Sequence, residues 1–559
     1  MKKIYFAILA AALGTSALTS CIDEVEPQSS VVTLRQASDA PGSFNNFVNS
    51  ITSTLVGQFY YNGSSYSVYD YGYPSFFLTR DVEGMDVVPV GTNNWYSTWY
   101  SNVSYLSPRY AVTQLPWTWY WMWIKNCNTV ISMYNASPST DKESGIGIAY
   151  AMRAMFLLDL QRMMAIAPYS VDPNALSTVI VDENNASGDV MHNPRKTNKE
   201  VLEFILADLD KAEGFLANYQ RADVYTPNVD VVYGLKARAY LEMQDWANAE
   251  KYAKQARANY TIMDEAAYTD RATGFNSPNG SWIFGVTFLP TDPVILENDG
   301  DSSWGSVMCL ENGFDCGYAA NYGGLNVIDR HLYETIPATD FRKKVFVDFA
   351  IDELASRDEK IEALKAYSNY PERLLASVNS AKYGPGGMSL KFRNAAGKED
   401  VKYDAWVVSV PLMRAEEMAL IEAEAAGMQD LGRGQALLEA FAKTRDANYT
   451  FGQHNETYGN SKTSAFQNEI WWQRRVELWG EGFATFDVKR YNKRVIRSYP
   501  NTNHPEGARW NSELNSETGT YYANWMNWCF VGTEADYNYD LVVNPNPVQP
   551  ESDSPAYNF

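Results

Sequence analysis

The chain has 559 residues, enough for one large domain or two modest ones, and 45% of them are hydrophobic. Its 46 lysines and arginines against 67 aspartates and glutamates leave a formal net charge of −21. A surface this acidic repels phosphate backbones and anionic lipids, so we expect no nucleic acid partner and favour neutral ligands. The 38 tyrosines and 16 tryptophans are more aromatic rings than a core alone accounts for.

The N-terminus has the features of an export signal that ends in a lipid-modified cysteine. Lys2 and Lys3 precede an apolar segment at residues 4–18, and Leu18-Thr19-Ser20-Cys21 completes a lipobox. We therefore expect residues 1–20 to be a lipoprotein signal peptide and residues 21–40 a tether lipidated at Cys21. The alternative is an ordinary signal peptide with an incidental cysteine. No later run approaches the roughly 18–20 apolar residues of a membrane span, which predicts a protein anchored to a membrane without crossing it.

Residues 41–259, the N-terminal half of the remaining chain, combine helical patterns with one aromatic loop. Apolar periodicity predicts helices over residues 44–61, 119–134 and 144–164. Between the first two, residues 62–117 lose the pattern and are crowded with Gly, Asn, Ser and aromatic residues. A loop of this length is usually functional or disordered, and so many rings argue against disorder.

A repeat signature follows. Thr197 to Glu200 has the form of a capping box and predicts a helix to about Leu216, with a partner helix over residues 229–243. Small or aromatic residues then recur at fixed spacing: Ala237, Tyr240, Ala249, Ala253 and Ala256. This is the spacing of a tetratricopeptide helical hairpin, in which small residues let two helix axes approach closely. Such a hairpin needs neighbours that stack on it.

Residues 260–410 form a loop-rich insertion and residues 411–559 the C-terminal helices and tail. The insertion is rich in Gly, Pro, Asn and Asp, with strand-like pieces at 282–286 and 406–410 and a surface helix at 350–367. Helical patterns return at 411–427, 433–447 and 464–480. Cys309 and Cys316 either close a short loop or stay as two buried free thiols. The sequence therefore predicts a mainly α fold: a tetratricopeptide scaffold with irregular insertions and a few short strands.

The chain lacks the signatures of catalysis and of metal binding. His192, His331, His454 and His504 lie in unrelated polar surroundings, and no cysteine or histidine cluster has zinc spacing. No G-x-S-x-G elbow occurs after the signal peptide. We expect no metal site, no cofactor and no enzymatic activity. A glycosidase pair of carboxylates stays open, because such a pair is close in space without being close in sequence.

Two groups of residues have the composition of a sugar-binding site. The first group is Asn93, Trp95, Tyr96 and Trp99, and the second is Trp304, Tyr318, Asn321 and Tyr322. Sugar C–H faces stack on Trp and Tyr rings, and sugar hydroxyls pair with amides. The competing interpretation is that each ring packs only its own loop.

Two sequence blocks resemble the signatures of a known family. One is Pro411-Leu412-x-Arg414-x2-Glu417-x2-Leu420-x2-Ala423-Glu424-Ala425, and the other runs from Ile470 through Arg474-Arg475-x-Glu477-Leu478-x2-Glu481-Gly482 to Asp487-Val488-Lys489-Arg490. Both, together with the lipobox, resemble the SusD/RagB family of surface lipoproteins in Bacteroidetes nutrient-import systems. Three further pieces of sequence resemble signatures of the same family: Arg153-Ala154, Asp159-Leu160 and Asn128. Gln473 and Ala484 depart from it.

The resemblance implies an outer-membrane, surface-exposed lipoprotein whose insertions line a glycan site. It also implies a SusC-like TonB-dependent barrel as partner, to which the lipoprotein delivers oligosaccharide or polysaccharide. Peptide binding on the same architecture, as in the RagB branch, is the nearest rival. A secreted helical glycosidase and a tetratricopeptide adaptor without a small ligand are more remote ones. The sequence leaves open which glycan is bound and whether calcium shapes the insertion.

The arginines and glutamates of the two blocks also have a physical interpretation that is independent of the family. They recur at helical spacing inside apolar helices. We expect them to form buried or half-buried ion pairs that fix the register of the helices, with no part in binding a ligand.

Overall fold

The computed structural model describes residues 33–58, 69–90, 95–185, 188–297, 303–376, 384–551 and 553–559. The predicted signal peptide, Cys21 and most of the tether lie outside these residues. The prediction of a mainly α fold is confirmed, because the described strands form only two two-stranded sheets. No helix in the described part of the chain is both long enough and apolar enough to span a membrane.

The described helices and strands follow in chain order. The end of the predicted tether forms a helix instead, α1 (Leu34–Asp39). The N-terminal half contains α2 (Ser43–Ser53), α3 (Ser75–Asp81), β1 (Val87–Val90), α4 (Trp95–Ser101), α5 (Ala111–Ala136), α6 (Glu143–Met164), α7 (Asn198–Leu216), α8 (Val229–Glu242) and α9 (Trp246–Ala256). Helix α1 contacts α5. The insertion contains α10 (Glu265–Tyr268), β2 (Trp282–Thr287), α11 (Pro293–Glu297), α12 (Tyr318–Tyr322), β3 (Leu325–Ile328), α13 (Arg330–Thr335), α14 (Arg357–Leu364) and β4 (Ser409–Arg414). The C-terminal part contains α15 (Ala415–Gln429), α16 (Leu431–Ala442), α17 (Ala465–Glu477), α18 (Ala484–Arg490) and α19 (Gly532–Tyr537).

The helical hairpins stack in one series, as the repeat signature predicts. Each of the pairs α5–α6, α6–α7, α7–α8, α8–α9, α9–α15 and α15–α16 is in contact. In the α8–α9 hairpin the small residues Ala237, Ala249, Ala253 and Ala256 are fully buried. Thr197 and Glu200 form the predicted capping box at the start of α7. The apolar faces of the hairpins are therefore covered by their neighbours along the series.

Three predicted boundaries are wrong. Helix α5 begins at Ala111, not at residue 119, and includes Pro116 in its second turn. A proline there removes only one backbone hydrogen bond, and burial of Val112 and Leu115 favours the longer helix. Residues 62–117 also contain α3, β1 and α4 instead of being one loop. The helix predicted from residue 411 starts at Ala415, because the preceding residues pair with β2 as strand β4.

Two further helices are shorter than predicted. The pattern over residues 44–61 gives α2, which ends at Ser53 and continues as a 3₁₀ turn, Thr54–Val56. The predicted surface helix over residues 350–367 is only α14, since a 3₁₀ segment, Phe349–Glu353, precedes it. Cys127, Cys309, Cys316 and Cys529, the four cysteines in the described residues, are buried free thiols, so Cys309 and Cys316 are not joined.

A buried network of charged side chains joins the C-terminal helices to the insertion. Glu477 of α17 accepts hydrogen bonds from Arg445 at 3.1 Å, Arg414 at 3.3 Å and Arg342 at 3.4 Å. Next to it, Glu481 accepts from Arg414 at 2.8 Å and from Lys391 at 2.6 Å. Burial acts to raise the pKa of Glu477, but the three arginines outweigh it and hold that pKa at about 2.

Similar pairs connect the other helices. Arg153 binds Asp208 between α6 and α7, Arg238 binds Glu417 between α8 and α15, and Arg490 binds Glu424 between α18 and α15. All six of these side chains are less than one-tenth exposed. The prediction that the family-like arginines and glutamates form buried ion pairs is confirmed. Gln473, one of the two departures, accepts a hydrogen bond from Arg342 at 2.9 Å.

We predict that Glu477→Gln lowers the free energy of unfolding by about 3–5 kcal/mol, because it leaves arginines buried without their counter-charge. Denaturant titration at pH 7 measures the loss. In the native protein the folded pKa of about 2 lies below the unfolded value of about 4.3, so the contribution of Glu477 is complete above pH 4.3 and is lost as the pH falls toward 2.

The matched control is Glu362→Gln, which removes an exposed carboxylate paired with Lys365. It should leave the unfolding midpoint unchanged, since exposed pairs contribute little. If Glu477→Gln is as stable as the control, the network does not hold the helices together.

Candidate functional site

The antiparallel pairing of β1 with β3 brings the two predicted ligand loops to one place. Val87 pairs with Ile328 and Val90 with Leu325. The chain that leaves Val90 continues to α4, and the chain that enters Leu325 arrives from α12. Both short helices therefore lie beyond the same end of the two-stranded sheet. This places the first group of aromatic residues beside the second.

Helix α4 carries rings at a spacing of four residues on two adjacent faces. Trp99 packs edge-on against Tyr69 and Tyr96, with ring centroids 5.3 Å apart in both cases. Trp95, at the first position of the helix, also contacts Tyr69 edge-on at 5.7 Å but remains 47% exposed. The helix thus buries one end of its aromatic surface and presents Trp95 to solvent.

Tyr96 of the first group and Tyr318 of the second are close enough to interact electrostatically. Burial raises the pKa of the Tyr96 hydroxyl well above its usual value, and the nearby hydroxyls of Tyr71 and Tyr318 raise it further. Within α12, the rings of Tyr318 and Tyr322 lie four residues apart with centroids 4.8 Å apart. Tyr318 is almost buried, whereas Tyr322 is 50% exposed. Each group therefore has buried rings, Tyr96 and Trp99 in α4 and Tyr318 in α12, behind one exposed ring, Trp95 or Tyr322.

A cleft of about 640 Å³ opens beside α12. Its lining consists of residues from α12, from the turn before it and from one distant turn: Leu310, Asn312, Gly313, Phe314, Ala320, Asn321, Tyr322, Gly323, Arg373 and Ala376. Phe314 is 79% exposed at the tip of the turn. Phe314 and Tyr322 thus present two exposed rings in the lining of the cleft.

Asn312 is a polar group in this cleft that the sequence interpretation missed. Its side chain is buried, and neither amide atom has a hydrogen-bond partner among the described residues. A buried amide without a partner costs free energy unless something pairs with it. Asn312 and Phe314 belong to the segment Glu311-Asn312-Gly313-Phe314. The sequence feature that could have indicated both residues is a Phe beside an Asn-Gly turn.

The cleft is close to electrically neutral. Arg373, the cationic residue among the described lining residues, donates to both carboxylate oxygens of Asp400 at 2.9 Å and to the carbonyl of Glu311 at 2.9 Å. Glu311 is itself paired with Arg393. No lining residue in the described chain carries a carboxyl group. The cleft offers rings and amides, without a free charge or a pair of acids.

The structure separates the predicted site residues into three groups. Trp95, Asn321 and Tyr322 lie at the surface of this region, whereas Tyr318, also predicted to bind the ligand, is only 7% exposed. Tyr96 and Trp99 are buried behind them, and as supporting residues they cannot stack on a ligand. Asn93 lies outside the described residues. The amide oxygen of Asn321 accepts from the backbone of Asp315 at 2.6 Å, so this side chain also shapes its turn.

Trp304 requires a correction. It was predicted to face the ligand, but it is 2% exposed and packs on Phe392 with ring centroids 3.6 Å apart. Its indole N–H donates to the carbonyl of Gly480 at 2.8 Å. A Trp among glycines and asparagines resembles an exposed loop ring in sequence, yet here it fills the core between the insertion and the C-terminal helices.

A buried polar relay fixes α4 from behind. The hydroxyl of Tyr100 in α4 donates to Nδ1 of His504, and His504 Nε2 donates to Asp329 at 3.1 Å. Tyr499 also donates to Asp329. Burial lowers the pKa of His504, although Asp329 opposes that shift, so the ring is neutral at pH 7 and can accept from Tyr100. Helix α4 is thereby tied to the C-terminal part of the chain.

The described residues contain no group of three or more histidine, cysteine, aspartate or glutamate side chains arranged to hold a metal ion. The geometry therefore gives no support for calcium or another ion in the described part of the insertion.

Comparison with known proteins agrees with this architecture. Residues 298–545, which contain both family-like blocks and the cleft, match the model of the SusD family. Over these residues the chain is similar to the SusD family, and its fold is SusD-like. None of the curated protein sequences matches it at a significant level.

Solved structures with the SusD-like fold cover nearly the whole chain. A SusD-like carbohydrate binding protein from Bacteroides vulgatus is 20% identical with a TM-score of 0.66, and the match covers 89% of this chain and 97% of that one. Surface glycan-binding protein A from Bacteroides thetaiotaomicron, solved with laminarihexaose, is 14% identical with a TM-score of 0.63, covering 90% and 99%. At identities this low, the matches establish only that the chain shares its fold with these proteins.

We predict that Tyr100→Phe destabilises this SusD-like protein by about 1–3 kcal/mol, because it leaves Nδ1 of His504 buried without a donor. Urea unfolding at pH 7 measures the change. Since the folded pKa of His504 lies below its unfolded value of about 6.5, the native protein should be most stable above that pH and lose stability as the pH falls through the folded pKa. Tyr110→Phe, at a 43% exposed ring, is the control and should unfold like the native protein. Equal stability of the two variants would contradict the relay.

Proposed function

We propose that this protein binds a neutral oligosaccharide or polysaccharide across Trp95, Tyr322 and Phe314. The observation that carries the proposal is the pair of half-exposed rings, Trp95 and Tyr322, which the β1–β3 pairing brings to one end of the sheet, with Tyr322 lining the 640 Å³ cleft. Rings that are already fixed by buried neighbours lose little conformational entropy when a sugar stacks on them. Asn312 supplies an amide for a sugar hydroxyl.

The charge of the site favours a neutral ligand. Arg373 is neutralised by Asp400, and the chain as a whole carries a net charge of −21. An anionic glycan would be repelled by the general field and would find no unpaired cation among the lining residues in the described chain. The laminarihexaose complex of a protein with the same fold is consistent with a neutral glucan as ligand.

The proposal includes binding without catalysis. A glycosidase needs two carboxyl groups about 5–10 Å apart across the bound sugar. The described cleft lining contains none. A binding protein needs only complementarity to the ground state of the glycan, which rings and amides provide.

We further propose that the protein passes its ligand to a SusC-like TonB-dependent barrel in the outer membrane, and that a lipid at Cys21 holds it at the cell surface. The support is the lipobox, the family-like blocks and the SusD family match. In this role the glycan must be released after capture. A modest affinity, resting on a few ring contacts, suits that task better than a deep enclosed site.

We predict that Trp95→Ala and Tyr322→Ala each weaken glycan binding at least tenfold, about 1.4 kcal/mol, because each removes a stacking ring. Isothermal titration calorimetry against laminarihexaose and a panel of neutral polysaccharides measures the affinity. Tyr537→Ala, which removes a 68% exposed ring elsewhere on the surface, is the matched control. Because all three rings are at the surface, the variants should fold normally.

Two outcomes would overturn this assignment. If the native protein binds no member of the panel, the glycan assignment is wrong and the peptide alternative is favoured. If glycan binding survives both substitutions, the proposed function stands but the binding site lies elsewhere on the protein.

We predict that Cys21→Ala moves the protein from the membrane fraction to the soluble fraction, because a lipid chain is the only membrane attachment that the proposal includes. Fractionation of cells with immunoblotting measures this, and Ser29→Ala, which lies beyond the lipobox, is the control. Membrane retention of Cys21→Ala would refute the lipid anchor.

A further inference from the structure

The guanidinium group of Arg373, in the wall of the cleft beside α12, is held on three sides. Nη2 donates to both carboxylate oxygens of Asp400 at 2.9 Å, and Nη1 donates to the carbonyl of Glu311 at 2.9 Å. The guanidinium carbon also lies 4.1 Å from the centroid of the Tyr370 ring. A surface arginine loses much rotamer freedom when it is ordered. Here the protein itself orders the side chain, so a ligand that contacts Arg373 does not have to order it.

The residues that hold Arg373 are themselves fixed. The amide of Gly313 donates to the carbonyl of Glu399 at 2.9 Å, which joins the turn before α12 to the turn that carries Asp400. A β-carbon at Gly313 would clash with Oδ1 of Asp400, so only glycine leaves room for this close approach. Partial burial raises the pKa of the Tyr370 hydroxyl, and its hydrogen bond to the Glu399 side chain raises that pKa further. Two turns and one ring therefore position a single guanidinium group.

Arg373 keeps a donor that the protein does not use. A guanidinium group has five N–H donors in a rigid, planar arrangement. The bonds to Asp400 and Glu311 use Nη1 and Nη2, whereas Nε has no hydrogen-bond partner among the described residues. Nε is also not one of their unpaired polar atoms that are shielded from solvent, and the side chain is 24% exposed. A ligand in the cleft thus meets a fixed N–H donor that is open to it.

The charge and the rings around Arg373 suit a neutral sugar. Asp400 neutralises the guanidinium group, and the net charge of −21 on the chain repels anions. The exposed rings of Phe314 and Tyr322 line the same cleft. Such rings stack on any sugar that presents a C–H face. A fixed donor is more selective, because it pairs only with a sugar that places an oxygen at the matching position.

We propose that Arg373 determines which neutral sugar this protein binds. Its Nε–H donates to one oxygen of the sugar unit that stacks on Phe314 or Tyr322, while Asp400 positions the guanidinium group and neutralises its charge. The inference rests on the proposed function for the class of ligand. It adds the group that distinguishes one sugar configuration from another.

The test measures affinities by calorimetry for laminarihexaose, cellohexaose, mannohexaose, xylohexaose and the neutral polysaccharides of the panel. Arg373→Met keeps an apolar side chain on the Tyr370 ring and removes every N–H. We expect it to weaken binding of the preferred glycan at least tenfold and binding of the others less than threefold. Tyr322→Ala, which removes a stacking ring, should instead weaken binding of every glycan by a similar factor.

Two further variants separate a ligand contact from damage to the fold. Asp400→Asn leaves Arg373 in place without the charge that fixes it, and should lower the ratio between the affinities for the two tightest-bound glycans at least threefold. Arg109→Met is the matched control, since Arg109 is an exposed arginine paired with Asp536 and is not a lining residue of the cleft. It should leave every affinity unchanged. Thermal unfolding of each variant verifies that it is folded.

The outcomes distinguish this inference from the proposed function. If the native protein binds a glycan but Arg373→Met and Asp400→Asn leave the affinity ratios unchanged, Arg373 does not determine specificity and the proposed function stands. A uniform loss of affinity in Arg373→Met, as in Tyr322→Ala, would overturn the inference in the same way. If the native protein binds no glycan, the proposed function fails and this inference fails with it.

Discussion

The carboxylate of Glu477 is the constraint on which the rest of this architecture depends. Arg342 comes from the insertion, Arg414 from the end of β4, and Arg445 from the turn after α16. Placing these charges in the core costs several kcal/mol per ion unless they meet in good geometry. The observed arrangement of the insertion on the C-terminal helices provides it. The network therefore specifies how the irregular segment sits on the helical scaffold.

From that constraint follows the position of the candidate site. The insertion, once fixed, brings β3 to β1, and the β1–β3 pairing sets α4 beside α12. The relay from Tyr100 through His504 to Asp329 then holds α4 from the side opposite its exposed ring. Trp95 and Tyr322 are thus presented by a rigid frame although both belong to short helices. A site of this kind selects ligands by shape and stacking, and its pre-organisation lowers the entropic cost of binding.

The sequence predicted the helical frame better than it predicted the site. Helices α6 to α9 were recognisable because their apolar and small residues recur at regular spacing, and the arginines and glutamates of α15 and α17 indicated buried pairs. The start of α5 was missed because Pro116 interrupts the local pattern, and β4 extends beyond the strand-like piece predicted at 406–410 because residues up to Arg414 pair with β2. Local sequence gives no signal for such long-range effects.

Among the aromatic residues, composition could not separate exposed rings from buried ones. Trp95 and Trp99 occupy similar sequence surroundings, yet only Trp95 is at the open end of α4. Trp304 is buried because Phe392, far away in the chain, covers it. Asn312 and Arg373 escaped notice for the same reason, as their roles depend on a turn and on a distant partner, Asp400.

The most direct test of the central claim is hydrogen–deuterium exchange of the protein with and without the oligosaccharide that the binding panel selects. The account predicts that the ligand slows exchange in residues 95–101 and 311–323, while exchange in α15 and α17 around the Glu477 network stays unchanged. If the ligand is bound but exchange slows in neither residues 95–101 nor residues 311–323, the account is contradicted.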